Sequence, residues 1–470
     1  MAQNRKVEFL DSIHVSPPPG SVPTTSFPLT FLDMQWFFVG NVERLFFYQF
    51  PHPTSYFMEN TLPTLKHSLS LALQNFFPYA ANIMCPQQPG KPCIHYTDGD
   101  FVTFTIAESA ADFNHVVANY PRDIKLLHPF VPQLPPSRVA EDGTRVLPVL
   151  AIQVTVFPDS GVCIGSTYNH IVGDGKSFMH FMSCWAASLN NSNSGDLTCL
   201  EHSPPSISRD VIKVSADMEL RFLQSYWNWV SLFDKNSGPS HGTDTVEDKV
   251  RATFVLGRAH AERLKQLVSK DVESGQLHIS TFVVACAFFW VCFIKSKESA
   301  TKDSSHDHDD EVYAFAFPFD GRNRLESQVP ATYFGNCLKP CLAKVKKSEI
   351  RGENGIVLAA KAIGNKIKEV ESRGLRGAEH WFADHSEIDK RLCITTIAGS
   401  PKLKVYEIDF GWGRPCKVEM AHIDRDGGAL ALAECRDEQG GIEVGLALNK
   451  NHMDEFITVF EQNLKLISFE

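Results

Sequence analysis

The feature that most constrains the fold of this chain is a predicted β-hairpin that leads through a glycine-containing turn into a helix. Apolar residues alternate over 152–156 and again over 162–166, and the turn residues Pro, Asp, Ser and Gly stand between them at 158–161. Glycines then interrupt the second strand at 173–175, and apolar residues recur at helical spacing over 178–185, after a predicted cap at Ser177. Strand, tight turn and helix in immediate succession indicate a mixed α/β chain.

A histidine stands at the end of this hairpin, in the run Tyr-Asn-His-Ile-Val-Gly-Asp-Gly that contains His170 and Asp174. The one G-x-S-x-G run, at 238–242, lies in a polar stretch without the preceding strand pattern that a nucleophile elbow requires. An imidazole has a pKa near neutrality and can take a proton from a hydroxyl or an amine. We therefore expect an ordered, exposed His170 that deprotonates a second substrate, which then attacks an activated acyl group. A purely structural histidine is the alternative.

Two further runs point to a family. Residues 409–413 read Asp-Phe-Gly-Trp-Gly, and residues 333–337 read Tyr-Phe-Gly-Asn-Cys. Together with His170 and Asp174, these runs resemble the plant BAHD acyltransferases, which transfer an acyl group from coenzyme A to an alcohol or an amine. The resemblance spans the whole chain, and the run at 333–337 resembles the signature of the branch that acylates flavonoid glycosides, especially anthocyanins.

The length of the chain and the resemblance both indicate two domains. With 470 residues and 43% apolar content, the chain exceeds what one core usually accommodates. The resemblance implies an α/β fold of two similarly sized mixed-sheet domains, of the chloramphenicol-acetyltransferase-like type, with a channel between them. Because residues 188–207 are rich in Asn, Ser, Gly and Pro, we predict an N-terminal domain at 1–190, a crossover linker at 191–220 and a C-terminal domain at 221–470.

Composition excludes several classes of partner. The formal net charge of −10 argues against nucleic acid and gives no reason to expect an anionic membrane surface. The longest apolar run, at 282–294, is shorter than the ~20 residues of a membrane-spanning helix. The first residues, 1–12, lack the apolar segment of a signal peptide, so we expect a cytosolic protein. We also expect a monomer. Twelve cysteines without a C-x-x-C pair predict neither disulfides nor a metal site.

The resemblance also implies roles for the catalytic residues. His170 is the general base, and the family treats Asp409 as part of the same active-site signature. Asp174 is expected to be structural and to form a buried ion pair with Arg322 rather than to orient the histidine. Thr395 is the predicted oxyanion donor; the alternative is that Thr395 and its neighbour only satisfy strand propensity.

The remaining candidates concern the two substrates. Acyl-CoA is implied as a co-substrate, with no permanently bound cofactor, and hydroxyls at the start of the helix near residue 280 suit its phosphates. Ser and Thr at such places are more often plain caps, and lysines are more often solvated. The candidates for CoA binding are Lys265, His278, Ser280, Thr281, Ser400 and Lys402. Those for the acceptor and donor pocket are Asp33, Trp36, Asn336 and Trp412.

The identity of the donor depends on charge. Members of this branch use malonyl-CoA or aromatic donors, and a malonyl carboxylate requires a basic partner. Residues 177–189, on the helix after His170, include no Arg or Lys. This favours a coumaroyl or caffeoyl donor and a phenolic glycoside acceptor, although Lys176 or a base from elsewhere would favour malonyl. A thioester hydrolase and a non-catalytic phenolic-binding protein are the alternatives from other classes.

Overall fold

The structure is a computed structural model that describes residues 7–191, 204–213, 215–233, 248–271, 277, 279–301, 311–322, 324, 329–374, 393–425 and 428–469. Its strands are β1 Val7–Val15, β2 Thr25–Pro28, β3 Asn41–Gln49, β4 Asn82–Cys85, β5 Cys93–Tyr96, β6 Val102–Ser109, β7 Arg122–Asp123, β8 Arg138–Val139, β9 Arg145–Pro148, β10 Leu150–Phe157, β11 Gly161–Asn169, β12 Lys249–Leu256, β13 Val312–Asp320, β14 Leu338–Lys346, β15 Cys393–Gly399, β16 Lys417–Met420, β17 Ala429–Glu434 and β18 Ile442–Asn449. Its helices are α1 Phe31–Met34, α2 Thr54–Tyr56, α3 Leu62–Asn75, α4 Phe113–Val116, α5 Gly175–Asn191, α6 Ala216–Phe233, α7 Arg258–Lys270, α8 Thr281–Thr301, α9 Lys347–Arg351, α10 Gly355–Arg373 and α11 Lys450–Phe469.

Two mixed sheets carry the fold, as the sequence predicts. The first has the order β1-β6-β10-β11-β3-β16, with β6 and β10 parallel. The second has the order β14-β13-β15-β17-β18-β12-β7, with β15 parallel to both β13 and β17. A smaller antiparallel sheet, β2-β5-β4-β9-β8, belongs to the N-terminal half. Each mixed sheet has its own large apolar core.

The two halves exchange strands. β16 comes from the C-terminal half and pairs with β3 of the first sheet, where Met420 lies opposite Arg44. β7 comes from the N-terminal half and pairs with β12 of the second sheet, where Arg122 lies opposite Arg251. Glu419 of β16 bonds to both arginines at 2.7 Å, and all three side chains are buried. Fully buried charges are tolerated only when paired, so this cluster joins the two sheets at the place where they exchange strands.

Helix α6 packs on the N-terminal half. Phe222 lies edge-on to Phe31 with ring centroids 5.1 Å apart, and the Tyr226 hydroxyl donates to the carbonyl of Pro86 at 2.7 Å. The helix begins at Ala216, inside the predicted crossover linker, whereas residues 192–203 and 214 of that linker lie outside the described residues. The domain bounds 1–190, 191–220 and 221–470 therefore stay a prediction.

The predicted hairpin is formed by β10 and β11, with Val154 opposite Ile164. The face of the hairpin that carries polar residues is not in solvent. It is buried beneath the chain segment that contains Pro129 and Pro132. The Gln153 amide donates to the carbonyl of Pro129 at 2.9 Å, and the Thr167 hydroxyl donates to that of Pro132 at 2.6 Å. Both arms of the hairpin are therefore buried on both faces, and β11 delivers the chain to His170 from a rigid position.

The long apolar run of the sequence lies inside α8, where positions 283–294 are all buried. The helix packs between the second sheet and helices α10 and α11. Among the helices that the structure describes, none combines the length and hydropathy needed to cross a bilayer.

Candidate active site

His170 follows the last residue of β11, and its ring faces an aromatic partner. The Trp36 indole lies flat against the imidazole, with ring centroids 3.9 Å apart and planes inclined by 8°. Trp36 stands in a 3₁₀ turn that directly continues α1. His170 is partly buried rather than exposed as the sequence predicts, because this indole covers one face of the ring.

The surroundings of His170 favour the neutral imidazole. Burial lowers the pKa of His170 below its ordinary value, and the positive charge of Arg44 acts in the same direction. The negative charge of Asp174 and the Asn336 amide act in the opposite direction without reversing the shift. At neutral pH the ring is therefore unprotonated and able to accept a proton.

Asp174 and Arg322 form the buried ion pair that the resemblance implies. The guanidinium meets both carboxylate oxygens, at 2.7 and 3.1 Å, and both side chains are fully buried. Burial alone raises the pKa of Asp174, but the adjacent Arg322 holds it below the ordinary value. The carboxylate also accepts from the backbone amides of Ser177 at 3.0 Å and Cys337 at 3.1 Å. Asp174 is therefore the N-terminal cap of α5, the place at which the sequence predicts Ser177.

Residues 170–174, between β11 and α5, form the catalytic loop. Asp33 and Asn336 lie beneath this loop and are fully buried. The Asn336 side-chain amide donates to the carbonyls of His170 at 2.9 Å and Ile171 at 3.0 Å. One Asp33 oxygen accepts from the backbone and side-chain amides of Asn336, both at 3.0 Å, and the other accepts from Thr30. These two predicted pocket residues therefore support the backbone of His170, and the structure does not expose them to a substrate.

Asp409 organises its own loop. Its carboxylate accepts from the amides of Gly411 at 2.7 Å and Gly413 at 2.9 Å, and its carbonyl accepts from Asn190 at 2.9 Å. Both glycines have positive φ, of 87° and 84°, where a side chain is strained. Within the described part of the chain, no hydrogen bond joins Asp409 to His170. The predicted grouping of the two as catalytic residues stays a prediction, and the geometry gives the carboxylate a structural role.

Trp412, the fourth residue predicted for the pocket, packs in an aromatic cluster of the N-terminal half. Its ring lies edge-on to Tyr48 at 5.5 Å and to Phe50 at 5.6 Å. It is partly buried in this cluster, so the tryptophan holds the loop of Asp409 against the first sheet.

The two threonines of β15 point to opposite faces. Thr395 is fully buried, and its partner in register is Phe315, which packs on Trp290 of α8. Its hydroxyl has no hydrogen-bond partner among the residues that the structure describes. Thr396 is exposed on the other face, as strand alternation requires. The oxyanion role of Thr395 stays a prediction, and Thr396 is the exposed hydroxyl of the pair.

Three of the predicted CoA-binding residues lie on two neighbouring helices or at their ends. Ser280 caps α8 by accepting from the Val283 amide at 3.3 Å, Thr281 begins that helix, and Lys265 lies on the neighbouring α7. Lys265 is paired with Glu262 at 2.8 Å. His278 lies outside the described residues.

Ser400 and Lys402 belong to a short 3₁₀ segment, in which the Ser400 hydroxyl accepts from the Lys402 amide at 3.2 Å. Leu403 of this segment lies against the start of α5, 3.1 Å from where a Cβ on Gly175 would stand. The segment therefore borders the loop of His170. CoA binding by these residues stays a prediction.

Sequence reasoning missed Arg44, which lies near His170 on β3. Its side chain is only 3% exposed, and its Nε has no hydrogen-bond partner in the described part of the chain. The signal in the sequence was the charged pair Glu43 and Arg44 directly before the apolar run Leu-Phe-Phe-Tyr.

The arrangement as a whole supplies a neutral base, an aromatic face beside it and a rigid loop that holds it. The described residues include no group of three or more His, Cys, Asp or Glu that could hold a metal ion.

Comparison with known proteins identifies the family. A family model described as "Transferase family" matches residues 5–463. An Arabidopsis thaliana protein, coumaroyl-CoA:anthocyanidin 3-O-glucoside-6''-O-coumaroyltransferase 1, is 40% identical, with 97% of each chain covered. A Dahlia pinnata protein, malonyl-coenzyme A:anthocyanin 3-O-glucoside-6''-O-malonyltransferase, is 35% identical, also with 97% of each covered. The crystal structure of vinorine synthase has the same fold, with a TM-score of 0.65 and 18% identity over 96% of both chains. The chain therefore belongs to this transferase family, the BAHD acyltransferases, and is an acyltransferase that uses acyl-CoA as its co-substrate.

Proposed function

We propose that this enzyme transfers a hydroxycinnamoyl group, coumaroyl or caffeoyl, from CoA to a sugar hydroxyl of an anthocyanin or a related phenolic glycoside. The observation that carries the proposal is the Trp36 indole stacked on His170 at 3.9 Å, which sets an aromatic surface beside the base. Two Arabidopsis relatives named as coumaroyl-CoA:anthocyanidin 3-O-glucoside-6''-O-coumaroyltransferases, at 40% and 39% identity, support the same substrates.

Trp36 offers two kinds of contact to a phenolic substrate. A flat indole favours stacking with a planar ring, which contributes about 0.5–1.5 kcal/mol beyond burial. Its ring N–H is buried without a hydrogen-bond partner among the described residues. A buried donor of this kind favours binding of a ligand that accepts the hydrogen bond. This supports an oxygen-bearing aromatic ligand next to His170.

The reaction starts at the neutral imidazole. His170 takes the proton of the sugar hydroxyl while the oxygen attacks the thioester carbonyl carbon. The tetrahedral oxyanion then collapses, the C–S bond breaks with its electron pair on sulfur, and the imidazolium returns the proton to the CoA thiolate. We propose Thr395, whose buried hydroxyl has no hydrogen-bond partner among the described residues, as the donor to the oxyanion. Loss of one such donor typically costs about 10²–10³ in rate.

The charges around α5 support an aromatic rather than an anionic donor. No Arg or Lys occurs between Ser177 and Leu189 on this helix. The one lysine before that stretch, Lys176, lies 3.8 Å from the carboxylate of Asp320, and both are about two-fifths exposed. This lysine therefore already has an acidic partner.

Malonyl transfer to the same class of acceptor is the second candidate. Arg44 favours it, because a buried guanidinium near His170 with an unpartnered Nε suits a carboxylate. Relatives from Dahlia pinnata and Salvia splendens, at 35% and 34% identity, are named as anthocyanin malonyltransferases.

The test is an acyl-transfer assay read by product mass. The purified enzyme is given coumaroyl-, caffeoyl-, malonyl- or acetyl-CoA with an anthocyanidin 3-glucoside or a flavonol glucoside, beside a His170→Ala control. A hydroxycinnamoyl adduct supports the proposal, whereas a malonyl adduct alone favours the second candidate, and loss of malonyl transfer in Arg44→Gln would strengthen that reading. Free acid without an adduct indicates a hydrolase, and glycoside binding without turnover indicates a binding protein.

We also propose that the enzyme is a cytosolic monomer. Light scattering of the purified protein and fractionation of the source tissue test the two parts separately.

A further inference from the structure

We propose that Arg209 is a positioning residue for His170, acting through Asp33 and Asn336 on the backbone that carries the catalytic imidazole. The inference rests on the proposed function, because transfer activity is one of its readouts.

Arg209 is a buried arginine between two exposed polar residues. It is 7% exposed, while Ser208 and Asp210 on either side of it are exposed. A charged side chain is buried in this way only where partners satisfy it. The segment 204–213 therefore inserts Arg209 beside the apolar Ile212, which joins the N-terminal core. The guanidinium reaches the underside of the catalytic loop.

The guanidinium contacts two runs that the sequence motifs mark. It donates to the Tyr333 hydroxyl at 3.0 Å and to the carbonyl of Phe334, both in the run 333–337. It also lies 3.5 Å from the carbonyl of Val172, two residues after His170. Its Nε is 3.7 Å from an oxygen of Asp33, whose side chain is fully buried.

Asp33 extends these contacts to His170. Its carboxylate binds both amides of Asn336, and the Asn336 side chain donates to the carbonyls of His170 and Ile171. Arg209 is the cation that the structure places at Asp33 within the described residues. Removal of the guanidinium leaves a buried carboxylate uncompensated, and the Asn336 contacts that depend on its position then shift.

The glycine of the run 333–337 is explained by the same side chain. A Cβ on Gly335 would stand 1.8 Å from a terminal nitrogen of Arg209, and the φ of Gly335 is +145°. The glycine therefore leaves the space that the guanidinium occupies. This ties the signature run, the segment between the halves and the catalytic loop into one network.

The first test compares Arg209→Ala and Arg209→Lys with wild type in steady-state transfer. We expect Arg209→Ala to lower kcat about 10- to 100-fold, as for a misplaced catalytic group, with KM values nearly unchanged. Lysine should recover part of the rate, because an ammonium can face Asp33 but cannot also reach Tyr333 and Phe334. The matched control is Arg221→Ala, an exposed arginine on α6 paired with Asp217 at 3.0 Å. An unchanged kcat in Arg209→Ala overturns the proposal.

A double-mutant comparison tests the route. If Arg209 acts through Asp33, adding Asp33→Asn to Arg209→Ala should cost far less than Asp33→Asn costs in the wild type. Fully additive losses in kcat would show that Arg209 and Asp33 act independently, and would overturn the proposal that Arg209 acts through Asp33.

An activity-independent readout separates this inference from the proposed function. Carbethoxylation of His170 by diethyl pyrocarbonate, followed by peptide mass spectrometry, should change in rate in Arg209→Ala, while the exposed His14 reacts as in wild type. If the wild type transfers no acyl group from any donor, the proposed function fails, and the labelling still decides on Arg209. An unchanged labelling rate at His170 refutes the positioning role.

Discussion

Around His170, the side chains divide into those that touch the imidazole and those that hold its backbone. Trp36 covers one face of the ring, whereas Asn336 binds the carbonyl of His170. Both oxygens of Asp174 are occupied by Arg322 and backbone amides. No carboxylate hydrogen bonds to the ring within the described residues, so orientation of the base comes from packing and from its loop.

Replacement of His170 by alanine should abolish transfer while the fold remains. Loss of a general base typically costs about 10²–10⁴ in rate, and the loop is held through its backbone rather than through the imidazole. Product mass and thermal unfolding of His170→Ala measure the two effects, with exposed His14→Ala as the control. Transfer near the wild-type rate in His170→Ala would remove the histidine from the mechanism.

Asp174→Asn should damage stability as well as activity. Loss of the Asp174 carboxylate leaves the buried Arg322 without its bidentate partner, which lowers the free energy of unfolding by about 3–5 kcal/mol. Urea unfolding measures the change, and the control is Asp217→Asn, which breaks an exposed pair worth about 0.2–1 kcal/mol. A loss in Asp174→Asn no larger than in the control would contradict the structural role of the pair.

The sequence predicts residues that a local motif marks and fails where orientation depends on distant partners. His170 and the pairing of Asp174 with Arg322 follow from motifs, and the pairing is present. Which of Thr395 and Thr396 is buried depends on which face of β15 packs towards α8. No local sequence pattern predicts that face. Arg209 carries no motif of its own, because its partners lie more than a hundred residues away along the chain in Tyr333 and Asp33.

At the scale of elements, the central hairpin shows why alternation predicts strands better than it predicts exposure. The bounds of β10 and β11 match the apolar alternation and its turn. Their polar face is nevertheless buried, because the segment that contains Pro129 and Pro132 lies over it and accepts its hydrogen bonds. That cover is formed by residues outside the hairpin, so the hairpin sequence alone cannot predict it.

Gly165→Ala should destabilise this hairpin. A Cβ at position 165 would stand 2.1 Å from the backbone carbonyl of Phe130, which cannot move as a side chain can. Overpacking of this kind costs about 1–3 kcal/mol. Chemical unfolding of Gly165→Ala measures the loss, and Gly352→Ala, whose Cβ meets nothing closer than 3.5 Å, is the control. Equal stability of the two variants would show that the segment around Phe130 moves away from the added methyl group at little cost in free energy.

At the scale of the whole molecule, the seam between the two sheets contains a histidine that makes stability depend on pH. His422 lies in the turn after β16, with its Nδ1 3.3 Å from the backbone of Glu43. Burial lowers the pKa of His422 from 6.5 to about 3, and the positive charges of Arg44 and Arg251 act in the same direction. The folded protein therefore keeps this imidazole neutral.

Because the pKa of His422 is lower in the folded chain than in the unfolded chain, its contribution to stability is complete above pH 6.5. It is lost as the pH falls towards about 3, since the unfolded chain then binds the additional proton. The expected loss by pH 4 is about 3 kcal/mol. His422→Asn should flatten the dependence of the free energy of unfolding on pH in this range, measured against His14→Asn. A slope unchanged from wild type would assign the pH dependence to other groups.

The exchange of β7 and β16 restricts how such enzymes can be recombined. A chimaera joined between the halves would pair Arg122 from one parent with Glu419 and Arg251 from the other. Only parents that share this buried charge pattern would give a stable hybrid. Exchange of whole halves therefore gives stable enzymes with new substrate preferences only for few pairs of parents. Substitutions in the loops around His170 leave the buried charges in place and are not restricted in this way.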